Sequence, residues 1–538
     1  MDQLVLLGSL FLTYIVIAGI YRVLFHPLAN IPGPFLAKIS GLSAFYYTLK
    51  QDRHIWLWQL HRRYGSIIRI APNSIVANTP GAYRAIYDSK KDVRKGEYYK
   101  VYPRQAGALT TWNCTEKPMH ARKKQVLAAA FSDKALRSAE PFIHANVDRW
   151  CELLSREIKA GAEWTGFLNM AELTSYLIFD ILGDLCFGKC FNMKEPGSDL
   201  RHIPSLMTSF IRIMHPIAFS TFVSLWVYLK PRGLDRFLRE MAPSSLKNWE
   251  QFILQCFTER AQAEEQSKYQ DQVGPGLTGS RKDFFHYLFQ ARDQQSGRMA
   301  YTRAELLGET ENLIVAGSDT TATALSAALF YLTYHPDIQS RVADEVTSIF
   351  SSLDEMTANS NKLYDCIYLR AFTKEVLRMS PPGPADLSRE VLSDGLVIDD
   401  LRVPPGTTVG TASYCMHYND AYFDAPFTFN PDRWIVNHKD KTGSSAARVA
   451  RAESCFSAFS TGPRACIGKN LAYLEMYIVI AKILYQFEIR RDICNNLGGG
   501  SPRAGDGRRD AGQYQLYDIF VAIRNGPMVQ LRHRVPHS

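Results

Sequence analysis

Near its carboxyl end the chain reads Phe459-Ser460-Thr461-Gly462-Pro463-Arg464-Ala465-Cys466-Ile467-Gly468, and an apolar helical period over residues 471–485 follows at once. Two glycines and a proline suit a rigid loop. Cys466 then stands just before a helix amino terminus, where main-chain N–H groups and the helix dipole favour a thiolate. Arg464 adds positive charge two residues away. A thiolate held in this way serves as a nucleophile or as a metal ligand, and no nearby His or Asn supports a cysteine hydrolase. The other nine cysteines are scattered from Cys114 to Cys494 with no C-x-x-C pair. That spacing excludes zinc ribbons and disulfide scaffolds, and fits reduced, buried thiols in a domain facing the cytosol.

A second constraint lies upstream. Thr302 followed by Glu305 is a capping-box pattern, and the helical period after it runs to residue 334, where His335-Pro336 ends it. The centre of this strong helix is Ala316-Gly317-Ser318-Asp319-Thr320-Thr321, a run of weak helix formers that compete for main-chain hydrogen bonds. Small residues there admit a neighbour close to the backbone, and an acid beside an alcohol suits a buried proton relay. Further helices are expected over 120–131, 142–159 and 246–266, and short strands over 66–71, 74–77, 395–398 and 408–411. Three polar, Gly-rich patches, 269–281, 440–452 and 495–513, read as surface insertions without chemistry. At 46% hydrophobic and 21% charged, the 538 residues are not a disordered chain, and the absence of long linkers or repeats points to one large domain.

Residues 3–21 carry no charge, and at about 1.5 Å per residue a helix of that length nearly crosses a hydrocarbon core. There is no basic stretch before it and no small-residue cleavage site, so an anchor is expected rather than a cleaved signal. Arg22, Lys38, Lys50 and Arg53 follow the span and only Asp2 precedes it, which leaves the bulk of the chain cytosolic and the amino terminus lumenal. Prolines at 27, 32 and 34 stop the helix and suit a hinge that sets the domain's angle to the bilayer.

The order Phe-x-x-Gly-x-Arg-x-Cys-x-Gly resembles the haem-binding loop of the cytochrome P450 monooxygenases. Ala316 to Thr321 looks like that family's oxygen-activating helix, and Glu375-Val376-Leu377-Arg378 like its Glu-x-x-Arg helix. Pro431-Asp432-Arg433-Trp434 is similar to its Pro-Glu-Arg-Phe/Trp segment, with Asp where Glu is common. The resemblance covers residues 27–532, and both ends look like filamentous-fungal members. It implies a mainly α fold with small β-sheets (α+β), the cytochrome P450 fold, preceded by one N-terminal transmembrane helix. The expected organisation is an anchor over 1–25, a proline-rich hinge over 26–45 and a haem-binding monooxygenase domain over 46–538.

The resemblance also assigns roles. Cys466 would be the axial ligand of the iron in haem b (iron protoporphyrin IX), favouring cleavage of the O–O bond. Phe459 would pack near its sulfur. Arg464, His120, Lys124 and Arg389 would meet the haem propionates, Lys124 replacing the more usual arginine fork by a point charge. Gly317 would leave room for oxygen, and Asp319 and Thr320 would deliver protons. Glu375, Arg378 and Arg433 would form a buried structural network. Arg122, Lys123, Lys124, Arg464 and Lys469 would make a basic dock for a separate NADPH-cytochrome P450 reductase, and nucleic acid is not expected. Trp112, Leu206, Phe210, Ile213, Phe219, Phe222, Leu313 and Leu387 would line a pocket for a lipophilic small molecule.

The function expected on this basis is insertion of one oxygen atom of O2 into that molecule, in fungal secondary-metabolite biosynthesis, at the endoplasmic reticulum membrane. The alternatives are a haem-thiolate isomerase or dehydratase independent of O2, a detoxifying hydroxylase of benzoate-type acids, and a haem protein that only binds ligands.

Overall fold

The amino-terminal helix Asp2–Ile20 continues as one π-helical turn, Tyr21–Phe25, and its apolar side chains lie exposed, Leu4, Leu7, Ile17 and Phe25 among them. A helix apolar all round needs an apolar environment. Gln3–Phe25, 23 residues, reaches ~35 Å. The other helix long and apolar enough to cross a membrane, Arg303–Tyr334, is instead the buried axis of the fold. This computed structural model describes residues 2–89, 92–103, 108–273, 283–292 and 297–535.

The segment after this helix is fastened to the domain. Arg69, fully buried on strand Ile67–Ala71, donates to the carbonyls of Arg22 and Leu28 at 2.8 and 3.3 Å, and its own N–H donates to Pro32 O at 2.8 Å. Gly33 sits so close that a Cβ there would lie 2.2 Å from Arg69 O. Arg53, counted above among the cations following the span, is buried inside the domain and paired with Asp386 at 2.7 Å. Its charge therefore compensates a core carboxylate and orients nothing at a membrane surface.

Met170–Phe187 and Lys469–Gln486 pack on Arg303–Tyr334, Asp133–Arg156 packs on those two, and one main hydrophobic core runs through them. Asp133–Arg156 starts nine residues before the position expected from periodicity. Ser132 caps it by accepting from Ala135 N–H, and packing tolerates Pro141 within it. A five-stranded sheet flanks the helices in the order Ile67–Ala71, Ser74–Ala77, Thr408–Gly410, Arg389–Val391, Val93–Lys95. A three-stranded sheet pairs Met528–His533 with Phe487–Arg491 on one side and Leu168–Asn169 on the other.

The three patches read as insertions differ. Residues 274–281 of the first lie outside the described residues. The second holds the helix Ser444–Cys455. The third is tied to the core: Arg508 donates to Asp52 at 2.9 Å, and buried Gln513 donates to Tyr414 and Tyr418 at 3.1 and 2.8 Å.

Candidate active site

A cavity of about 390 Å³ lies between the middle of the Arg303–Tyr334 helix and the cysteine loop. Cys466 lines it. Its thiol is open to this interior space although protein surrounds it. The 3-10 turn Gly462–Arg464, with Gly462 at φ 69° and backed against Tyr87 O, sets the loop, and Cys466 N–H donates to Phe459 O at 2.9 Å. The local sequence favours a thiolate here, yet burial outweighs the Gly468 N–H, Lys124 and Lys469 and pushes the thiol above its ordinary pKa. A bound cation would reverse that balance, as metals do for thiols.

A wall of basic side chains meets the same cavity: Lys95, His120, Lys124, Arg389 and Arg464. Arg464 donates to the carbonyls of Cys114 and Thr115 at 2.6 and 3.1 Å, and burial followed by Arg389 lowers it to about 10. Lys124 fastens the loop by donating to Pro463 O and Ala465 O at 2.9 and 3.2 Å. Arg389 donates to Ser388 O at 3.0 Å and lies over Tyr87. Burial and then Arg464 hold His120 down at about 3, so in this cavity it stands as a neutral imidazole. Lys95, which sequence reasoning missed, is buried over Tyr99 and Trp112; burial and then Arg389 lower its pKa strongly.

Among the described residues, none of Lys95, Lys124, Arg389 and Arg464 forms a salt bridge. Buried like charges without counter-charge are costly. A ligand bearing carboxylates beside a metal facing Cys466 satisfies both features, so these residues fit a haem with its two propionates.

The opposite side of the cavity is the weak helix centre. Gly317 and Thr320 line it, and Thr320 donates to Ala316 O at 2.7 Å. Gly317 does more than leave space for a ligand: a Cβ there would lie 2.8 Å from Leu182 Cδ2, so the residue also permits close helix packing. Asp319 lies behind this wall, buried and ion-paired with Arg524, which also donates to Thr323 at 3.0 Å. Thr320 and Asp319 thus face different surroundings although they are adjacent in sequence.

Glu375 and Arg378 meet in the core of the Ile367–Met379 helix through two hydrogen bonds of 2.8 Å. Glu375 also accepts from Asn430 N–H at 3.0 Å, Arg433 at 3.3 Å and Trp434 Nε1–H at 2.9 Å. This network reaches the cysteine loop through His417, which sequence reasoning did not single out. Its Nδ1 bonds Arg378 O at 2.9 Å and its Nε2 accepts from Ser457 N–H at 2.9 Å. Accepting at Nε2 fixes the proton on Nδ1, and burial keeps the ring neutral, at about 3.

Phe459 lines the cavity and packs on Tyr473. Glu475, two turns into the helix after Cys466, was also missed. It lines the cavity fully buried, and burial raises it to about 8. Its only sequence signal is an acid on the apolar face of that helix. Of the expected pocket residues, Trp112, Phe210, Leu313 and Leu387 line the cavity. Ile213 and Phe222 are exposed, Leu206 packs on the main core, and Phe219 joins a separate aromatic cluster. In the expected basic dock, Lys123 is wholly buried and paired with Glu305 at 2.6 Å, so it presents no charge to a partner.

Comparison with known proteins agrees with this geometry. The family model "Cytochrome P450" matches residues 32–496. Cytochrome P450 monooxygenase AKT7 of Alternaria alternata is 32% identical over 531 residues, covering 98% of this chain and 97% of that protein. Cytochrome P450 monooxygenase poxM of Penicillium oxalicum is 34% identical over 529 residues, covering 98% and 94%. The crystal structure of a cytochrome P450, CYP102L1, superposes with a TM-score of 0.67 at 17% identity, covering 90% of this chain and 94% of that one, a likeness of fold. The chain belongs to the cytochrome P450 family. It is a monooxygenase of that family, and the family implies haem iron, a redox partner and a small-molecule substrate.

Proposed function

We propose that the protein inserts one oxygen atom of O2 into a lipophilic small molecule in fungal secondary metabolism, with electrons from NADPH through a separate cytochrome P450 reductase. The observation that carries this reading is that one cavity joins the open thiol of Cys466, the unpaired basic wall and the Gly317–Thr320 face of the long helix. When bound, haem would supply the oxygen-activating chemistry, and Cys466 would hold its iron through the thiolate. Arg464, Arg389 and Lys124 would hold the propionates by charge, and Lys95 and His120, both lowered by burial, would donate hydrogen bonds to them. Lys124 also holds the loop in place. Thr320 handles the proton at the cavity wall through its hydroxyl, which leaves Ala316 O to do so. Asp319 serves as the reservoir behind it and must leave Arg524 to reach the cavity.

The catalytic domain sits on the cytosolic face of the endoplasmic reticulum, anchored by Gln3–Phe25. Beside the anchor, Phe35, Leu36, Leu42, Tyr46 and Leu49 are exposed, and Gly41 packs against Thr221, next to exposed Phe222 and Leu225. An apolar surface continuous with the anchor suits partial burial in a lipid interface. Arg122 and Lys469 remain as basic residues for reductase docking. The carbon monoxide difference spectrum of the reduced protein tests the thiolate ligand, and product formation with purified reductase and NADPH tests the reaction. A reduced protein lacking the thiolate band refutes the assignment, and turnover without O2 or NADPH would favour an isomerase instead.

A further inference from the structure

One wall of the cavity carries Tyr99, Tyr102, Trp112 and Phe520, and the rest of the 3-10 helix Glu97–Val101 and the end of helix Ile203–Phe219 pack behind them. Tyr98, Tyr99, Tyr102, Trp112, Phe219 and Phe520 pack there as an aromatic cluster apart from the main core. Phe520 holds a φ of 88° and its N–H donates to Asp518 Oδ1 at 3.0 Å, so a strained turn aims this ring at the cavity.

The polar atoms of this wall form a line. Tyr102 lines the cavity, and its hydroxyl is 2.7 Å from that of Tyr98. The Tyr98 hydroxyl is 2.9 Å from His215 Nδ1, and His215 Nε2 faces Asp518 Oδ1 at 3.9 Å. Tyr98, His215 and Asp518 are all buried.

The direction of the chain follows from His215. Burial, and after it Arg53, keeps this imidazole neutral, so it has one N–H and one acceptor nitrogen. Burial raises Asp518 only to about 6, leaving it ionised at neutral pH. At 3.9 Å it is too far for a hydrogen bond, but its charge favours the tautomer with the proton on Nε2. Nδ1 then accepts from Tyr98, and the oxygen of Tyr98 accepts from Tyr102. The proton of Tyr102 is committed to the protein, and its oxygen has a lone pair to share.

We propose that Tyr102 is the polar anchor of the substrate cavity, a hydrogen-bond acceptor selecting a lipophilic substrate that carries a hydroxyl or N–H group. This rests on the monooxygenase reading above and deepens it by naming the chemistry of the substrate. In an otherwise mostly apolar cavity, one committed acceptor discriminates against molecules that can only accept, because their oxygen would face a lone pair.

The test uses full-length ferric holoenzyme in detergent and equilibrium dialysis with three probes of one skeleton. Menthol donates and accepts, menthone only accepts, and p-menthane does neither. The wild type should bind menthol about 3- to 10-fold more tightly than menthone. Tyr102→Phe should erase that preference and leave p-menthane binding unchanged. Tyr98→Phe frees the proton of Tyr102 for the cavity and should tighten menthone binding until the preference for menthol is lost, since both oxygens can then accept from Tyr102. Haem content and the carbon monoxide difference band are recorded first for each protein. A wild type that binds menthone as well as menthol, or menthol no better than p-menthane, overturns the proposal, as does a haem-loaded Tyr102→Phe with the wild-type preference. A wild type without the thiolate band instead fails the monooxygenase reading on which the proposal rests.

Discussion

Replacing Glu375 by alanine should prevent the holoprotein from accumulating rather than slow its turnover. Arg378 is fully buried and Arg433 nearly so, and both take their counter-charge from this one carboxylate. Breaking such a buried pair costs about 3–5 kcal/mol, chiefly because a charge is left without a partner. Trp434 Nε1–H and Asn430 N–H lose their acceptor as well, at about 1–3 kcal/mol each. The total, about 5–11 kcal/mol, is comparable to the whole stability of a typical domain, about 5–15 kcal/mol. The damage is passed to the cysteine loop through Arg378 O, His417 and Ser457 N–H, so haem retention should fail with the fold. Glu375→Gln keeps an acceptor oxygen and should fall between. The assay is soluble yield, haem per polypeptide and the urea midpoint of whatever folds. A Glu375→Ala protein with stoichiometric haem and the wild-type midpoint would refute the reasoning.

The remaining expectations concern the cavity. Glu475 keeps in the fold, up to about pH 8, a proton that the unfolded chain releases near 4.5. Wild-type stability should therefore decline between these values, by at most about 5 kcal/mol. Glu475→Gln removes the titration, so its urea midpoint should exceed the wild type's at pH 8 and converge with it by about pH 5; parallel curves would show that Glu475 does not titrate in this way. Thr320→Ala should keep NADPH oxidation while diverting reducing equivalents to peroxide, and an unchanged ratio of product to NADPH would remove the role of Thr320. Arg464→Ala should release haem to a scavenging globin about 10- to 100-fold faster, the weight of a charge-assisted hydrogen bond; an unchanged rate would show that Arg464 does not hold the propionate.

Short motifs were legible because each is a local instruction. The cysteine loop, the capped helix with its weak centre and the Glu375–Arg378 spacing are each set within a few residues by backbone freedom, capping and helical period. Helix Arg303–Tyr334 begins and ends where its cap and following proline place it. Direction and environment were not legible in this way. Asp319 and Thr320 are neighbours in the same motif, yet one faces Arg524 and the other the cavity, because the helix places adjacent side chains about 100° apart and distant elements decide what each meets. Lys95, His417 and Glu475 carry no motif at all; one strand and two helices bring them to the site from positions up to 380 residues apart.

Charge was the property sequence judged least well. Lys123 and Arg53 read as surface cations and proved to be core partners of Glu305 and Asp386. The thiol of Cys466 read as favoured towards ionisation, and the desolvation of its pocket reverses this until a cation binds. By itself the sequence determined the family, the apolar amino-terminal helix, the cysteine loop and the helices around it, since these depend on contacts a few residues long. Only the tertiary structure decided which charges are buried together, which side chains share the cavity and which way a hydrogen-bond chain runs, since desolvation and facing direction are sums over everything packed nearby.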